Sequence, residues 1–512
     1  MIIQKDSLAF LEEQKDFAFD INYSDPPYAL GSEIYIRPDG KFDYKKATDF
    51  MNKWDMPTGE YWEKWFEESF RTLKHGGYCV MFGIDRQLPM FQYYAIKSGF
   101  QVRQSMYWYF ISSFPKATDL SKNLDKNAKV ERKVIGKQKH SLPKSDNTVG
   151  ESSYGISGGK LANGTSAERF HQDITAPTTD LAKKYEGYKY SISPLKQTCE
   201  TIMIFQKPYK TGSCMHDTLA YENGDDTCAC FAWNIDGGRV GLTDSDDPRL
   251  GGKGSWKTDK SAKNVYEGGF VGNDIESSQL GRYPSQTFCD SGTAERLDEQ
   301  SGISKSNGHY NSVKKSVAFT NELKDTVFIQ EDSILSDIGG CSKILHKCDY
   351  ENGEMDLYVY APKVSKNERN AGCEEFDEKE MGKNQSSLDG GKMLTGSGNE
   401  RNNVQKNNHP TLKPISLSYR ILTLFKTPNP QKIVYPFAGV QSEVIGGYKA
   451  GFEDFSGCEL NAEYVDIGNV RFEHWKDKPF DEKGKVIESK KETKAKKEEK
   501  PKKKPNEQLK LL

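Results

Sequence analysis

The chain has 512 residues, 35% of them hydrophobic and 29% charged, with a formal net charge of -2. That length holds roughly two or three domains, yet the apolar content builds a core in only part of it. With no apolar run of ~18 residues and no basic-then-apolar leader, a membrane-spanning or exported protein is not expected and the cytoplasm is; the charge excludes a wholly basic nucleic-acid binder and leaves phosphate contacts to local patches.

The run Phe17-Ala18-Phe19-Asp20-Ile21-Asn22-Tyr23 alternates, with Phe17, Phe19, Ile21 and Tyr23 on one face, and predicts a strand. Ser24-Asp25-Pro26-Pro27-Tyr28 follows directly, at the strand end where open α/β sheets carry their chemistry. Pro26 and Pro27 fix φ and remove two N–H donors, so the turn presents rigid carbonyl oxygens. Asp25 adds a charged acceptor and Tyr28 a surface for stacking. The cluster can hold a planar amine by its hydrogens, or it can be a plain proline turn in which Asp25 caps a helix.

Residues 59 to 75 place Trp62, Trp65, Phe66 and Leu73 near one helical face and end at Gly76-Gly77. A strand from Tyr78 to Gly83, a helix over 86 to 98 around Pro89, and a long aromatic strand from Phe100 to Ser112 come next. This alternation of β and α is what a parallel sheet requires.

Residues 130 to 405 are rich in Gly, Ser, Asn, Asp and Lys, too long a stretch for one loop of a compact domain. They read as an inserted recognition region, with disorder expected around 140 to 180 and 380 to 405. The alternation then returns: a helix from Pro414 to Lys426, a strand from Lys432 to Tyr435, a helix from Ser442 to Ala450, a strand from Phe452 to Glu459, and a helix from Asn461 to Trp475 with Asn461 as its cap. Beyond it, residues 477 to 512 form a Lys/Glu run with Pro501 and Pro505 that cannot bury a core and reads as disordered.

The expected fold is therefore α/β, a Rossmann-like sheet assembled from residues 1–129 and 406–476 around an insert at 130–405, with a tail at 477–512. Ten cysteines are scattered without a framework, and the one close pair, Cys228 and Cys230, is too tightly spaced for a usual zinc knuckle; no metal is expected and the thiols are expected reduced. No cysteine follows a proline, which argues against covalent attack on cytosine C5.

In the second half-sheet, Val434-Tyr435-Pro436-Phe437-Ala438-Gly439 joins a strand to a helix, and Glu459 ends the next strand. That is the arrangement of a nucleotide-binding βαβ unit, its acid placed to accept from ribose hydroxyls.

Together, Asp25-Pro26-Pro27-Tyr28, His409-Pro410-Thr411-Leu412-Lys413-Pro414, Pro436-Phe437-Ala438-Gly439 and Gly457-Cys458-Glu459 resemble, in this order, the beta-class DNA amino-methyltransferases. Phe114-Pro115-Lys116, Asn234-Ile235-Asp236-Gly237-Gly238-Arg239, Gly281-Arg282-Tyr283-Pro284, Ala361-Pro362-Lys363 and Glu368-Arg369-Asn370 resemble a phage-type branch of that group. The resemblance implies a methyltransferase fold, S-adenosylmethionine as cofactor and double-stranded DNA as substrate. It implies Asp25, Pro26, Pro27 and Tyr28 as catalytic, and His409, Thr411, Lys413, Pro436, Phe437, Ala438, Gly439 and Glu459, with Asp25, as cofactor-binding. The Asp-Pro-Pro-Tyr form leans toward adenine N6 over cytosine N4. Two departures stand out: Tyr435 where the family has an acid, and Gln441 in place of a second glycine, where a bulky side chain crowds the methionine part of the cofactor unless the backbone takes another path. A catalytically silent DNA-binding relative is the alternative that Val440 and Gln441 suggest; methylation of RNA or of protein glutamine is a third, disfavoured by the large insert.

Lys116, Lys122 and Lys126 are candidates for phosphate contacts or belong to a solvated lysine-rich surface. Arg239, Arg282 and Arg369 are candidates for contacts or for pinning loops. The final Gln508-Leu509-Lys510-Leu511-Leu512 resembles the bacterial sliding-clamp-binding peptide, with Gln508, Leu509, Leu511 and Leu512 as its contacts, or is a plain apolar end. A protein working beside DNA, associated with the nucleoid, is the expectation.

Overall fold

In the computed structural model, the described residues are 1–28, 33–44, 57–110, 117–138, 172–239, 283–289, 291–301, 364, 366–380 and 404–478, with short strands at 253–254, 275–276, 304–306, 337–339 and 346–347. The main sheet comprises β1 (Ile2–Gln4), β2 (Phe19–Ser24), β3 (Leu73–Gly83), β4 (Gln101–Val102), β5 (Met106–Tyr109), β6 (Cys199–Gln206), β7 (Thr287–Cys289), β8 (His346–Lys347), β9 (Lys432–Tyr435) and β10 (Asp454–Glu459). Their order is β1-β10-β9-β2-β3-β6-β5-β7-β8, with β4 on the far end of β6. Among these pairs only those involving β6 are antiparallel. The α/β class expected from the sequence is the class observed.

Helices cover both faces. On one lie α1 (Ser7–Glu12), α2 (Gly59–Thr72) and α3 (Leu88–Lys97), burying Phe10, Leu11, Trp62, Trp65, Phe66, Met90 and Phe91. Burial of a side chain such as Phe66 or Phe91 contributes about 1.5–3 kcal/mol. Farther along the chain come α4 (Leu120–Asn127), α5 (Asp180–Lys184) and α6 (Lys366–Asn370). The opposite face carries α7 (Ile415–Phe425) and α8 (Ser442–Lys449), whose Leu417, Ile421, Leu422 and Val444 pack on Ile21, Tyr23 and Phe82. The last helix, α9 (Ala462–Lys476), is capped by the Asn461 side chain, as its sequence predicts.

Several expectations change in detail. The strand β2 is buried along its whole length, its polar positions included, because a central parallel strand is covered on both faces. Phe17 stands before it with φ 56, and a register shift between Phe19 and Ile21 sends Phe19 to the layer opposite Ile21 and Tyr23. The buried Asp20 is compensated by Lys74 at 3.1 Å and by the Lys432 N–H at 2.7 Å. Gly76 and Gly77 do not cap α2: the chain is already extended at Leu73, and both glycines lie within β3. The long aromatic strand breaks into β4 and β5, which pair with opposite ends of β6.

The boundary expected at residue 130 does not coincide with the edge of the sheet. The strand β6, from the apolar run Cys199-Glu200-Thr201-Ile202-Met203-Ile204-Phe205-Gln206, lies between β3 and β5, and β7 and β8 extend the sheet further. Nor is the described part of 140 to 180 irregular. Gln172–Ala176 pairs with Lys133–Gln138, and α5 follows. The fully buried Asp125 of α4 organises that region, with Arg132 Nη1 at 2.8 Å and the backbone N–H groups of Thr178 and Thr179 at 3.0 Å each. At the other edge β1, which the sequence did not announce, pairs in parallel with β10.

Gly457 explains why the Gly-x-Glu segment needs its glycine. In register with Tyr435 of β9, a Cβ at this position would come 2.2 Å from the Tyr435 carbonyl oxygen. Gly457→Ala is therefore expected to destabilise the protein by about 1–3 kcal/mol, since paired backbone cannot move aside. Urea unfolding reads this as a lowered midpoint with an unchanged slope, and an unchanged midpoint would show that the two strands spread freely.

Candidate active site at the switch point of the sheet

Strand order reverses between β2 and β9, so the loops that leave their carboxyl ends diverge and open a crevice. One loop carries Asp25-Pro26-Pro27-Tyr28 and the other Pro436-Phe437-Ala438-Gly439. The two candidate motifs, far apart in sequence, are brought together. Gln87, 1% exposed ahead of α3, donates from Nε2 to the Pro27 carbonyl at 2.8 Å. Among the described residues no donor reaches the Pro26 carbonyl.

Asp25 is the centre of a buried polar cluster. The Lys413 ammonium, on a side chain only 3% exposed, lies 2.6 Å from each Asp25 carboxylate oxygen and 3.0 Å from the Tyr28 hydroxyl. The Tyr28 hydroxyl has two acceptors, Asp25 Oδ1 at 3.0 Å and Glu200 Oε2 at 3.3 Å. Glu200, its side chain fully buried, is also 3.5 Å from Lys413. Lys413 sits over the rings of Tyr28 and Phe82, at 5.0 and 4.8 Å from their centroids. Burial, then the neighbouring Asp25 charge, holds the Tyr28 phenol well above its usual range. The same two causes push the Glu443 carboxyl of α8 up to about 8, with Lys413 opposing.

In the second loop, the Gly439 N–H donates to Glu459 Oε2 at 3.0 Å and the Asn461 N–H to Oε1 at 2.9 Å. The carboxylate is thereby fixed at the end of β10, and burial raises its pKa. Pro436 and Ala438 are buried. Phe437 turns into the core, its ring centroid 5.7 Å from that of Trp65 and 6.0 Å from that of Trp62. The His409 ring lies against Gly439 and edge-on to Tyr464 at 4.6 Å, and burial holds its pKa down at about 3, so it is neutral. Thr411 is exposed.

The segment 407 to 415 is held by α6. Arg369 donates to the His409 carbonyl, Asn407 Nδ2 to the Arg369 carbonyl at 2.8 Å, and the Ile415 N–H to Glu368 Oε1 at 2.8 Å. Glu368 thus serves the start of α7, whose cap residue Pro414 offers no side-chain acceptor. Of the arginines considered as loop pins, Arg369 is one, and Arg239 pairs with Asp236 at 2.7 Å. Arg282 lies outside the described residues.

Gln441 keeps the backbone of a glycine, with φ 64 and ψ 25, but its side chain turns away from the crevice. Nε2 donates to Asn469 Oδ1 of α9 at 2.8 Å, and the stem lies over Gly468. Val440 packs with Leu412 and Ile467. Gly468 of α9 provides the room that the Gln441 side chain takes.

Sequence reasoning missed Glu200, Glu443 and Gln87. Glu200 had a signal, being the one charged residue in an apolar run. Glu443 and Gln87 had none, since the residues around them are distant in sequence. Lys122 and Lys126 stand exposed on α4, whereas Lys116, Gln508, Leu509, Leu511 and Leu512 lie outside the described residues. Among the described residues no helix is long and apolar enough to cross a membrane, and no three His, Cys, Asp or Glu side chains are grouped to hold a metal.

No protein-family model matches the chain, and no curated protein matches it. Solved structures similar to it include a complex described as M1.HpyAVI with SAM, at 10% identity and a TM-score of 0.30, covering 92% of this chain and 98% of that one. Another is TTHA0409, a putative DNA modification methylase from Thermus thermophilus, at 11% identity and 0.30, covering 93% and 95%. A third is the PvuII DNA methyltransferase (cytosine-N4-specific), at 10% identity and 0.33, covering 92% and 85%. Likeness at these scores leaves the chemistry of this chain to be read from its own residues.

The exchange between Gln441 and Gly468 can be tested as a cycle. A Cβ at Gly468 would meet Gln441 Cγ at 2.7 Å, so Gly468→Ala is expected to lower Tm, and adding Gln441→Gly to recover most of the loss. The coupling should be about 0.5–3 kcal/mol. Additive effects would show that the two residues do not share the space.

Proposed function

We propose that this chain is an S-adenosylmethionine-dependent DNA methyltransferase that modifies the exocyclic amine of a flipped base, adenine N6 ahead of cytosine N4. The observation that carries this reading is the meeting, at one switch point, of the Asp25 turn and the Gly439–Glu459 loop. The residues present fit the cofactor. Glu459 is oriented by two backbone donors with lone pairs left for ribose hydroxyls, and Asp25 and Glu200 face a single ammonium, a surplus of negative charge that suits a sulfonium.

The amine of adenine or cytosine is a poor nucleophile because its lone pair is delocalised into the ring. Asp25 and the Pro26 carbonyl accept the two amine hydrogens and draw the nitrogen toward tetrahedral geometry. S-adenosylmethionine supplies the methyl group on its sulfonium. Tyr28 offers its ring to the flipped base once Lys413 yields its place over it, and Gln87 keeps the Pro27 carbonyl occupied so that the Pro26 carbonyl is the one presented. Positioning and electrostatic stabilisation then carry most of the rate.

Lys122 and Lys126 belong to a locally basic region. Residues 117–138 and 172–198 hold ten Lys and Arg against six Asp and Glu, in a chain that is net negative. That surface suits duplex phosphates. We also retain the clamp-binding reading of residues 508–512, joined to the fold by the Lys/Glu run. The silent-relative reading loses its main support, because the Gln441 side chain leaves the crevice.

Asp25→Ala is expected to reduce methyl transfer at saturating cofactor by about 10²–10³-fold or more. Nucleoside mass spectrometry of treated DNA provides the readout. N6-methyladenine is the expected product, N4-methylcytosine would exchange the two base assignments, and undiminished activity of the variant would remove Asp25 from the mechanism. For the DNA surface, Lys122→Ala with Lys126→Ala should lower the slope of log K against log salt by about 2 and weaken all sequences alike. An unchanged slope would return both lysines to ordinary surface.

A further inference from the structure

Glu443 is a carboxyl with no evident structural task. It stands in the first turn of α8, four residues after Gly439, and is only 7% exposed. It accepts no hydrogen bond from the side chain or backbone of any other described residue. Around it are Asp25, Tyr23 and Tyr28 from the β2 end, Tyr435 from β9, Lys413 ahead of α7 and Arg471 of α9. Arg471 is committed to the Val440 carbonyl and to Ser442 Oγ, and Lys413 to Asp25. The Tyr435 hydroxyl, also without a partner, lies against Gly447, one turn along the same helix face. The donor Glu443 has is its own backbone N–H, and burying a carboxyl with so little compensation is costly, a cost that a cationic ligand would offset.

We propose that Glu443 receives the α-ammonium of the methyl donor's amino-acid part. This assignment rests on the S-adenosylmethionine reading above. If the ribose is held at Glu459 and the methyl directed at Asp25, the amino-acid arm would fall toward the start of α8, where Glu443 stands. In the free protein burial, then the Asp25 charge, pushes the carboxyl up to about 8, toward its protonated form. An arriving ammonium favours the carboxylate, so binding releases a proton and tightens as pH rises toward 8.

Calorimetry on the full-length chain decides this with three ligands: S-adenosylmethionine, S-adenosylhomocysteine, which keeps the ammonium but not the sulfonium, and 5′-methylthioadenosine, which has neither. Glu443→Gln preserves shape, and it is expected to weaken the first two by about 10–100-fold and leave the third unchanged. Wild-type binding of S-adenosylhomocysteine should strengthen from pH 6 to 8, and the variant should lose that rise. Loss for S-adenosylmethionine alone would move Glu443 to the sulfonium and overturn the assignment, as would equal loss for all three, which marks a structural role, or no loss at all. A wild-type protein that binds none of the three would instead overturn the cofactor reading on which the assignment stands.

Discussion

The ion pair between Lys413 and Asp25 joins residues 388 positions apart, and the geometry of the crevice depends on it. It locks the segment ahead of α7 onto the turn after β2, and so fixes how the two halves of the sheet present their loops. Both partners are largely out of water, so the attraction is strong and each charge needs the other. Removing one partner of such a pair typically costs about 3–5 kcal/mol, mostly from the charge left behind. Yet the carboxylate that holds Lys413 is the one best placed to hold an amine. Lys413 and the Tyr28 hydroxyl therefore hold the Asp25 side chain in place before any ligand arrives, and an incoming amine must share or displace the ammonium.

How much of this was legible in the sequence depended on range. The proline turn, the Pro-Phe-Ala-Gly loop and Glu459 could be read because each is short and ends a strand whose periodicity is local. The C-terminal elements from Pro414 to Trp475 matched closely for the same reason. By contrast, β6 was hidden: a fully buried strand has no alternation, and a single apolar run amid polar sequence does not reveal where it pairs. With β6 went Glu200, whose role exists only once that strand lies beside β3. The α6 residues Glu368, Arg369 and Asn370 were visible as a motif, but their work is to support the segment from Asn407 to Ile415, a long-range task that spacing cannot show.

Gln441 shows a local rule being broken and balanced elsewhere. Its left-handed backbone favours glycine, and for a side-chain-bearing residue it costs roughly 1–2 kcal/mol. The hydrogen bond to Asn469 and the packing over Gly468 offset that cost. In effect the missing glycine is found on the facing helix, where the Gln441 side chain is accommodated. A sequence reading that scores the loop alone counts a defect where the fold contains an exchange.

The same reasoning applies to charge. Asp25 and Glu200 face one ammonium, and burial first, then the Asp25 charge, raises the pKa of Glu443 nearby. If stability alone had shaped this place, an apolar residue in the first turn of α8 would serve better, since Val440 and Val444 beside it are already core. A buried acid in that turn, together with an orphaned tyrosine hydroxyl against the same helix, is a cost to the free protein that a bound cation would offset on the reading proposed above. On that reading the cost disfavours the empty crevice, and its relief would contribute to the affinity for a cationic ligand.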